Sequence, residues 1–521
     1  MPSLRSALLW AILGALAAAA PAEYTHRVKE TVHPPRGWNA LRPAPPAHTI
    51  ELRIGLPQPK FAELEEHLYA VSDPSSERYG EHLSKEDVEA LVAPHPESVQ
   101  LVEDWLASHG LLSDALSRSP AGDWVTVRVP VSLAEIMLDT TYHVWTHAAS
   151  GDSLVRTTSY SLPEHLHDHI EVVQPTTMFS RFTPMRTTYR SFRANTAIPQ
   201  SDGATIAVPS ASGGQVAASC NGTITPECLL ELYNATGYTP QVPGENKIAV
   251  TGYLEQYANY ADYYQFLGEE WLGYVLSAED LPQSISTSYG DDEQTVPTAM
   301  RHASARSSRS LVCARGVSIM FSSGDGGVGD GDPDPATQEC YSNDGRNVTM
   351  FIPEFPASCP YDSEVPEIAA WFSGGGFSNY VRWSFAATDL RGALNRLFSS
   401  PRPSYQDTAV TKYLGELAPG TYAGLYNASG RAYPDVSAEG VNFTMYGMRK
   451  LASSTGLLPT WLPQPIDLFA QRTDDNGFND ITVGNNPGCG TEGFNTTIGW
   501  DPVTGWGTPN FGVLKELVLG A

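Results

Sequence analysis

The chain has no cysteine before residue 220 and only six among its 521 residues. That absence excludes a disulfide-stapled N-terminal part, so any core there has to come from apolar packing. The cysteines form no CxxC pair and have no paired histidines nearby, which argues against a structural zinc site. Basic residues are scarce as well: 32 Lys and Arg stand against 58 Asp and Glu, a net charge of −26. Such a surface repels phosphate backbones and anionic lipid, so neither nucleic acid nor membrane is expected as a partner. Long apolar runs are missing too. The N-terminal run Ala7–Ala20 is about 14 residues, short of the roughly 20 that a bilayer span requires. No internal repeat is evident.

What is present points to export. Arg5, the run Ala7–Ala20 and the small-residue site Ala20-Pro-Ala22 read as a signal peptide over residues 1–22. Six sequons occur, at Asn221, Asn234, Asn347, Asn427, Asn442 and Asn495, and none precedes them. The cysteines suit an oxidising compartment, with Cys220–Cys228 and Cys340–Cys359 as the expected pairs. An excess of carboxylates is better tolerated in an acidic medium. A secreted, glycosylated monomer is the expectation.

Residues 23–180 lack cysteine and sequons and show amphipathic stretches. Phe61, Leu64 and Leu68 share one helical face, Ser84 suits an N-cap, Ser98–Leu106 reads as a helix, and Trp124–Val129 reads as a strand. This is the pattern of a compact α+β domain. Residues 181–203, rich in Arg, Thr and Ser, read as an exposed linker. From 204 to 521 short apolar strands (247–252, 284–288, 316–321) alternate with helical segments at 260–267 and 404–417. That alternation predicts an α/β domain with a parallel sheet, whose ligand site lies at the carboxyl ends of the strands.

One such end carries Ser322-Ser-Gly-Asp-Gly-Gly-Val-Gly329, which places the Asp325 carboxylate on a glycine-rich turn. On that fragment alone an ordinary Asp-Gly turn is the better explanation. Asp330-Gly-Asp-Pro-Asp-Pro335 mimics a calcium loop but lacks the Gly and Glu of an EF-hand, so a surface loop is expected. Near the C-terminus, Asp480 and Asp501 stand among turn carbonyls, the mixed oxygen set that calcium prefers, although on these residues alone two turn aspartates are the expected reading.

Longer blocks carry a resemblance. They include Lys29-Glu-Thr-Val-His-Pro-Pro-Arg-Gly-Trp38, Asp73 to Ser84, Leu281 to Pro297, Phe351 to Pro360, Ser373-Gly-Gly-Gly-Phe-Ser-Asn-Tyr380, Tyr433-Pro-Asp-Val-Ser-Ala438, Asn486-Pro-Gly-Cys-Gly490 and Gly499 to Phe511. In these blocks the chain resembles the sedolisins, the serine-carboxyl peptidases, and most closely the secreted fungal tripeptidyl peptidases. The resemblance implies a propeptide domain followed by a subtilisin-like α/β peptidase domain that releases tripeptides from peptide N-termini at acidic pH. It implies a Ser nucleophile, a Glu base, a supporting Asp, and a second Asp in the oxyanion hole, which falls on Asp325. It also implies one structural calcium ion at Asp480, Ile481, Gly499 and Asp501, with the Thr497 carbonyl as an extra ligand. Peptides and the chain's own propeptide are the implied partners. A carboxylate base with an ordinary pKa of about 4 suits such a medium, where a His would be locked as imidazolium.

The catalytic set is incomplete. The family's Glu and Asp sit four apart on one helix, but here Gln265-Phe-Leu-Gly268 runs straight into Glu269-Glu-Trp271. Glu255 and Asp262 are seven apart and outside any matching motif. The family's Gly-Thr-Ser-Ala-Ser turn is replaced by Met445 to Gly456, where Ser453 and Ser454 precede Thr-Gly in the wrong order and read as surface serines. Segments 300–312, 362–366 and 381–400 also look foreign. Nine of the 16 bases from residue 201 onward lie in foreign-looking stretches, against 35 acids across the same span. Translated introns or a shifted frame would produce that local break. The chain is therefore expected not to cleave peptides. A peptide-binding or inhibitory pseudopeptidase is the alternative, and an acidic glycosidase has only the acid bias and aromatics in its favour.

Overall fold

The computed structural model describes residues 25–73, 75–180, 183–184, 189–192, 205–207, 215–221, 224–239, 247–250, 278, 280–300, 314–329, 332, 334–358, 369, 372–379, 402–438, 443–446 and 477–520. The expected signal peptide, most of the 181–203 segment and the expected helix at 260–267 lie outside these residues.

The N-terminal part is built as its periodicity predicts. Helix Phe61–Ser72 buries Leu64, Leu68 and Val71, and Phe61 packs partly buried beside them. Helix Lys85–Val92 starts at Ser84, whose side chain accepts a hydrogen bond from the Asp87 amide. Helix Pro96–Ser108 starts two residues earlier than expected, because Pro96 fits a first helical turn that has no use for its N–H and His95 caps it. Of these, helix Pro96–Ser108 packs on a four-stranded antiparallel sheet in the order Leu116–Arg118, Trp124–Pro130, Thr49–Gly55, Val172–Gln174, while the other two meet in a separate cluster. Alternation along Trp124–Pro130 sends Val125, Val127 and Val129 into a core shared with Leu52, Ile54, Val102, Trp105 and Met137. No disulfide contributes to it.

Further along, Ile248–Val250, Ser284–Thr287 and Ser318–Phe321 form a parallel three-stranded sheet. All three fall where the apolar runs predict them. The expected helical segment at 404–417 is the helix Asp407–Glu416 behind a single 3-10 turn, Ser404–Gln406. The core of this part is aromatic. The Phe494 ring meets Phe351, Phe377, Tyr413, Tyr422 and Tyr426 edge-on, at centroid distances from 5.1 to 6.3 Å.

Of the disulfides, Cys220–Cys228 forms as expected. Cys340, however, pairs with Cys489 across 149 residues, not with Cys359, which lies outside the described residues. The reason is tertiary. Gln338 donates to the Gly326 carbonyl and accepts from the Cys489 amide at 2.8 Å, which holds the 486–490 turn against the segment leading to Cys340. The two Cα atoms then stand 5.4 Å apart, within bridging range.

The N-terminal part docks on the rest through several small contacts. Ala314 fills the gap between Leu64, Val88 and Val92, and the Leu83 amide donates to its carbonyl. Tyr405 packs on Leu68 and Tyr69, while Val296, Met300 and Phe355 pack on Trp124 and Met178. Arg36 pairs with Glu339 at 3.0 Å and lies over the Tyr341 ring. Thr183–Pro184 adds as an antiparallel strand to Tyr289–Gly290.

Glu30 ties the end of the first part to its beginning by accepting from the Thr177 hydroxyl. Burial pushes its pKa up, against the smaller lowering effects of Thr177 and Lys29. A carboxyl with a raised folded pKa favours the fold while protonated and loses that contribution as pH rises through the folded value. Glu30→Gln is therefore expected to raise the melting temperature at about pH 7 and to leave it nearly unchanged at about pH 4. Equal shifts at both pH values in scanning fluorimetry would contradict this account.

Candidate active site and cation site

The Ser318–Phe321 strand ends in the loop that carries Asp325, and the chain reverses there through Gly324 at φ +107°. Asp325 is partly exposed at the carboxyl end of the parallel sheet, where such folds bind ligands. The loop lies backbone-to-backbone on the glycine run after Ser373. The Gly374 amide donates to the Gly324 carbonyl at 2.9 Å, and the Gly327 amide donates to the Phe372 carbonyl. A Cβ on Gly374 would sit 1.9 Å from the Ser323 oxygen, and one on Gly375 would sit 2.2 Å from the Pro502 oxygen. Only glycine fits at either position.

Asn486 locks the assembly. Its fully buried amide donates to the Gly375 and Pro502 carbonyls, both at 3.3 Å, and accepts from the Phe494 amide at 2.8 Å. Three separate segments thus meet on one side chain.

Two further charged features went unread in the sequence. Glu293, 1 % exposed, accepts from the Ser358 and Ser378 hydroxyls and from the Asn379 amide. It therefore joins the Tyr289–Asp292 strand to the far end of the glycine run. Arg431 and Asp435 form a buried ion pair, and Gln406 donates to the other oxygen of Asp435. The sequence gives no sign that these particular charges are internal. Each belongs to a conspicuous run, Gly-Asp-Asp-Glu293 or Tyr-Pro-Asp435, and that was the available signal.

Of the acidic run 330–335, Asp332, Asp334 and Pro335 are among the described residues. Asp332 accepts from the Asp334 amide and the Thr337 hydroxyl, and Asp334 accepts from the Ala336 amide, so these carboxylates are engaged in local turns. Glu255, Asp262, Ser453 and Ser454 lie outside the described residues.

Asp480 and Asp501 come together around one turn. Asp480 accepts from the Gly499 amide at 2.9 Å, and Gly499 takes the left-handed conformation at φ +87°. The Asp501 carboxylate is fully buried and accepts from the Thr497, Val503 and Thr504 amides. Burial pushes its pKa up to about 7 despite those donors. The hydroxyl of Thr497 is buried with no hydrogen-bond partner among the described residues. Ile481 is buried beside Asp480. Two carboxylates on adjoining backbone and a stranded hydroxyl form an all-oxygen donor set that fits a hard cation such as calcium. Among the described residues no cluster of three or more His, Cys, Asp or Glu offers another metal site.

Replacing Asn486 by Ala leaves two carbonyls and one amide without their partner, at about 1–3 kcal/mol for each buried group left unmet. Asn486→Ala is expected to lower stability by several kcal/mol in urea titration, and a change within error would mean that the junction holds without it.

Comparison with known proteins bears on this site. The family "Pro-kumamolisin, activation domain" matches residues 36–179. The "Probable tripeptidyl-peptidase SED3" of Arthroderma benhamiae is 31% identical, with 97% of each chain covered. Its namesake from Trichophyton verrucosum is 31% identical over 96% of each. The "Tripeptidyl-peptidase SED2" of Arthroderma otae is 29% identical over 97% of this chain and 98% of its own. The alignment to the first of these runs over 622 positions, 101 more than the 521 residues of this chain. That relative therefore has internal segments with no counterpart here.

Proposed function

Because the chain belongs to the sedolisin-type tripeptidyl peptidases, we propose that it is a secreted, calcium-stabilised member of that family, with a subtilisin-like peptidase domain, that does not cleave peptides as written. The observation that carries the second half is the alignment longer than the chain itself. It accords with the two gaps that fall on the family's Glu/Asp helix and Ser turn. The acid excess and the N-terminal leader support export and an acidic medium. No helix among the described residues is long and apolar enough to cross a membrane.

Asp325 takes the oxyanion role in this reading. Protonated at acidic pH, it donates a hydrogen bond to the oxygen of a tetrahedral intermediate. That interaction stabilises charge but forms no bond. Acyl transfer needs a hydroxyl to attack the carbonyl and a base to take its proton, and both are lost with the missing segments. The purified chain, brought to acidic pH and cut in the 181–203 segment by an added protease that is then removed, is expected to leave a chromogenic tripeptide amide with a free amino terminus uncut. Turnover above a heat-treated control would overturn the proposal. Spliced messages across codons 265–300, 360–402 and 440–480 decide the origin of the gaps. Messages that lack the foreign-looking codons and supply the missing segments point to translated introns and skipped exons, and the same junctions point to a decayed gene.

Asp480, Asp501 and the carbonyls of Ile481 and Gly499 would hold the calcium, with the Thr497 carbonyl in reach of the same turn. The ion supplies positive charge against a buried carboxylate and cross-links two segments. Calcium is expected to raise the melting temperature of the chain and to lose that effect in Asp501→Asn. An equal calcium shift in both proteins would place the ion elsewhere.

A second reading is favoured by one contact. Thr183–Pro184 lies as an added strand on Tyr289–Gly290, so that edge accepts an extended chain through main-chain hydrogen bonds. A pseudopeptidase that captures peptides there needs no nucleophile.

A further inference from the structure

Export would bring the chain to the enzyme that glycosylates Asn-X-Ser/Thr, so any glycan assignment rests on the proposed secretion. The structure places the side chains of four sequon asparagines: Asn234, Asn347, Asn427 and Asn495. They differ in what holds the amide nitrogen, Nδ2, to which the sugar is attached.

At Asn427 both arms of the amide are in use. Nδ2 donates to the Ser378 carbonyl at 3.1 Å, and the oxygen accepts from the Ser429 amide at 3.1 Å. The same turn presses so closely on Ser378 that a Cβ on Gly430 would lie 2.0 Å from its oxygen. At Asn234, Nδ2 donates to the Asn510 side chain at 2.9 Å, and a Cβ on Gly512 would lie 2.4 Å from that nitrogen. A sugar on either nitrogen leaves one N–H for these bonds but has to fit against Gly512 and Asn510 at Asn234 and against Ser378 at Asn427.

Asn234, Asn347 and Asn495 are all exposed, and the last two differ from Asn234 in the surroundings of Nδ2. The Asn347 oxygen faces the Arg36 guanidinium at 3.4 Å, which leaves Nδ2, on the other arm of the planar amide, directed away from that contact. Its loop is well braced: Tyr341 bridges Thr349, and Ser342 and Val348 exchange hydrogen bonds. Asn495 uses its backbone, bridging Asn485 and accepting from the Tyr413 hydroxyl, and its side chain has no hydrogen bond among the described residues.

We propose that Asn347 and Asn495 carry N-linked glycans, whereas Asn234 and Asn427 are structural asparagines that stay bare in the folded, exported protein. One glycan then stands at the rim of the contact between Arg36 and the Glu339–Asn347 loop.

The test is glycopeptide mass spectrometry on the full chain secreted from a yeast host, with two acceptor-hydroxyl variants that keep every asparagine. Thr349→Ala is expected to lose the sugar at Asn347 with an unchanged melting temperature. Ser429→Ala is expected to keep the wild-type glycan pattern, because its backbone amide still serves Asn427. Asn427→Ala is expected to lower the melting temperature with no change in glycan content. Sugar on Asn234 or Asn427, or a bare Asn347 or Asn495 in a chain glycosylated at other sequons, overturns the assignment. A secreted chain bare at all six sequons overturns the assignment, whereas a chain that never reaches the medium overturns the secretion reading.

Discussion

Backbone laid directly on backbone, and pinned by the buried amide of Asn486, is the constraint on which the rest of this structure depends. The Asp325 loop, the glycine run after Ser373 and the turn around Pro502 approach more closely than any side chain permits. Their polar groups are then cut off from water and have to satisfy one another. Asn486 does this for Gly375, Pro502 and Phe494 at once. Glu293 does it at the other end of the glycine run, for Ser358, Ser378 and Asn379. The junction holds the Asp325 loop through these backbone and buried amide contacts.

The same geometry accounts for the cation site. The turn at Pro502 that Asn486 holds is continuous with Asp501, whose carboxylate is wrapped by three backbone amides. Those donors organise the carboxylate but do not offset its burial, and its pKa stays high. A calcium ion at the proposed site would supply positive charge against that carboxylate.

Much of the N-terminal part was legible because local pattern and burial coincide there. Leu64, Leu68, Val88, Val125 and Val127 are buried where periodicity puts them, and Ser84 caps its helix. The three parallel strands were legible for the same reason. What the sequence concealed depends on distant contacts. Cys340 met Cys489 because Gln338 bridges two loops, and no spacing rule reports a partner 149 residues away. The internal placement of Glu293, Arg431 and Asp435 was equally hidden, since one sequence does not distinguish a buried charge from a surface one. Of the candidate site, Asp325 and the pair Asp480 and Asp501 were found as turn carboxylates, but only the fold shows the last two gripping one turn.

The central claim is that a family scaffold survives here around a missing covalent step. Its most direct test is intact-mass spectrometry of the acidified chain after incubation with an activated tripeptide ester bearing a free amino terminus. The account predicts an unmodified mass, with Asp325 and the cation site in place but nothing to acylate. A stoichiometric adduct localised to one serine would contradict it.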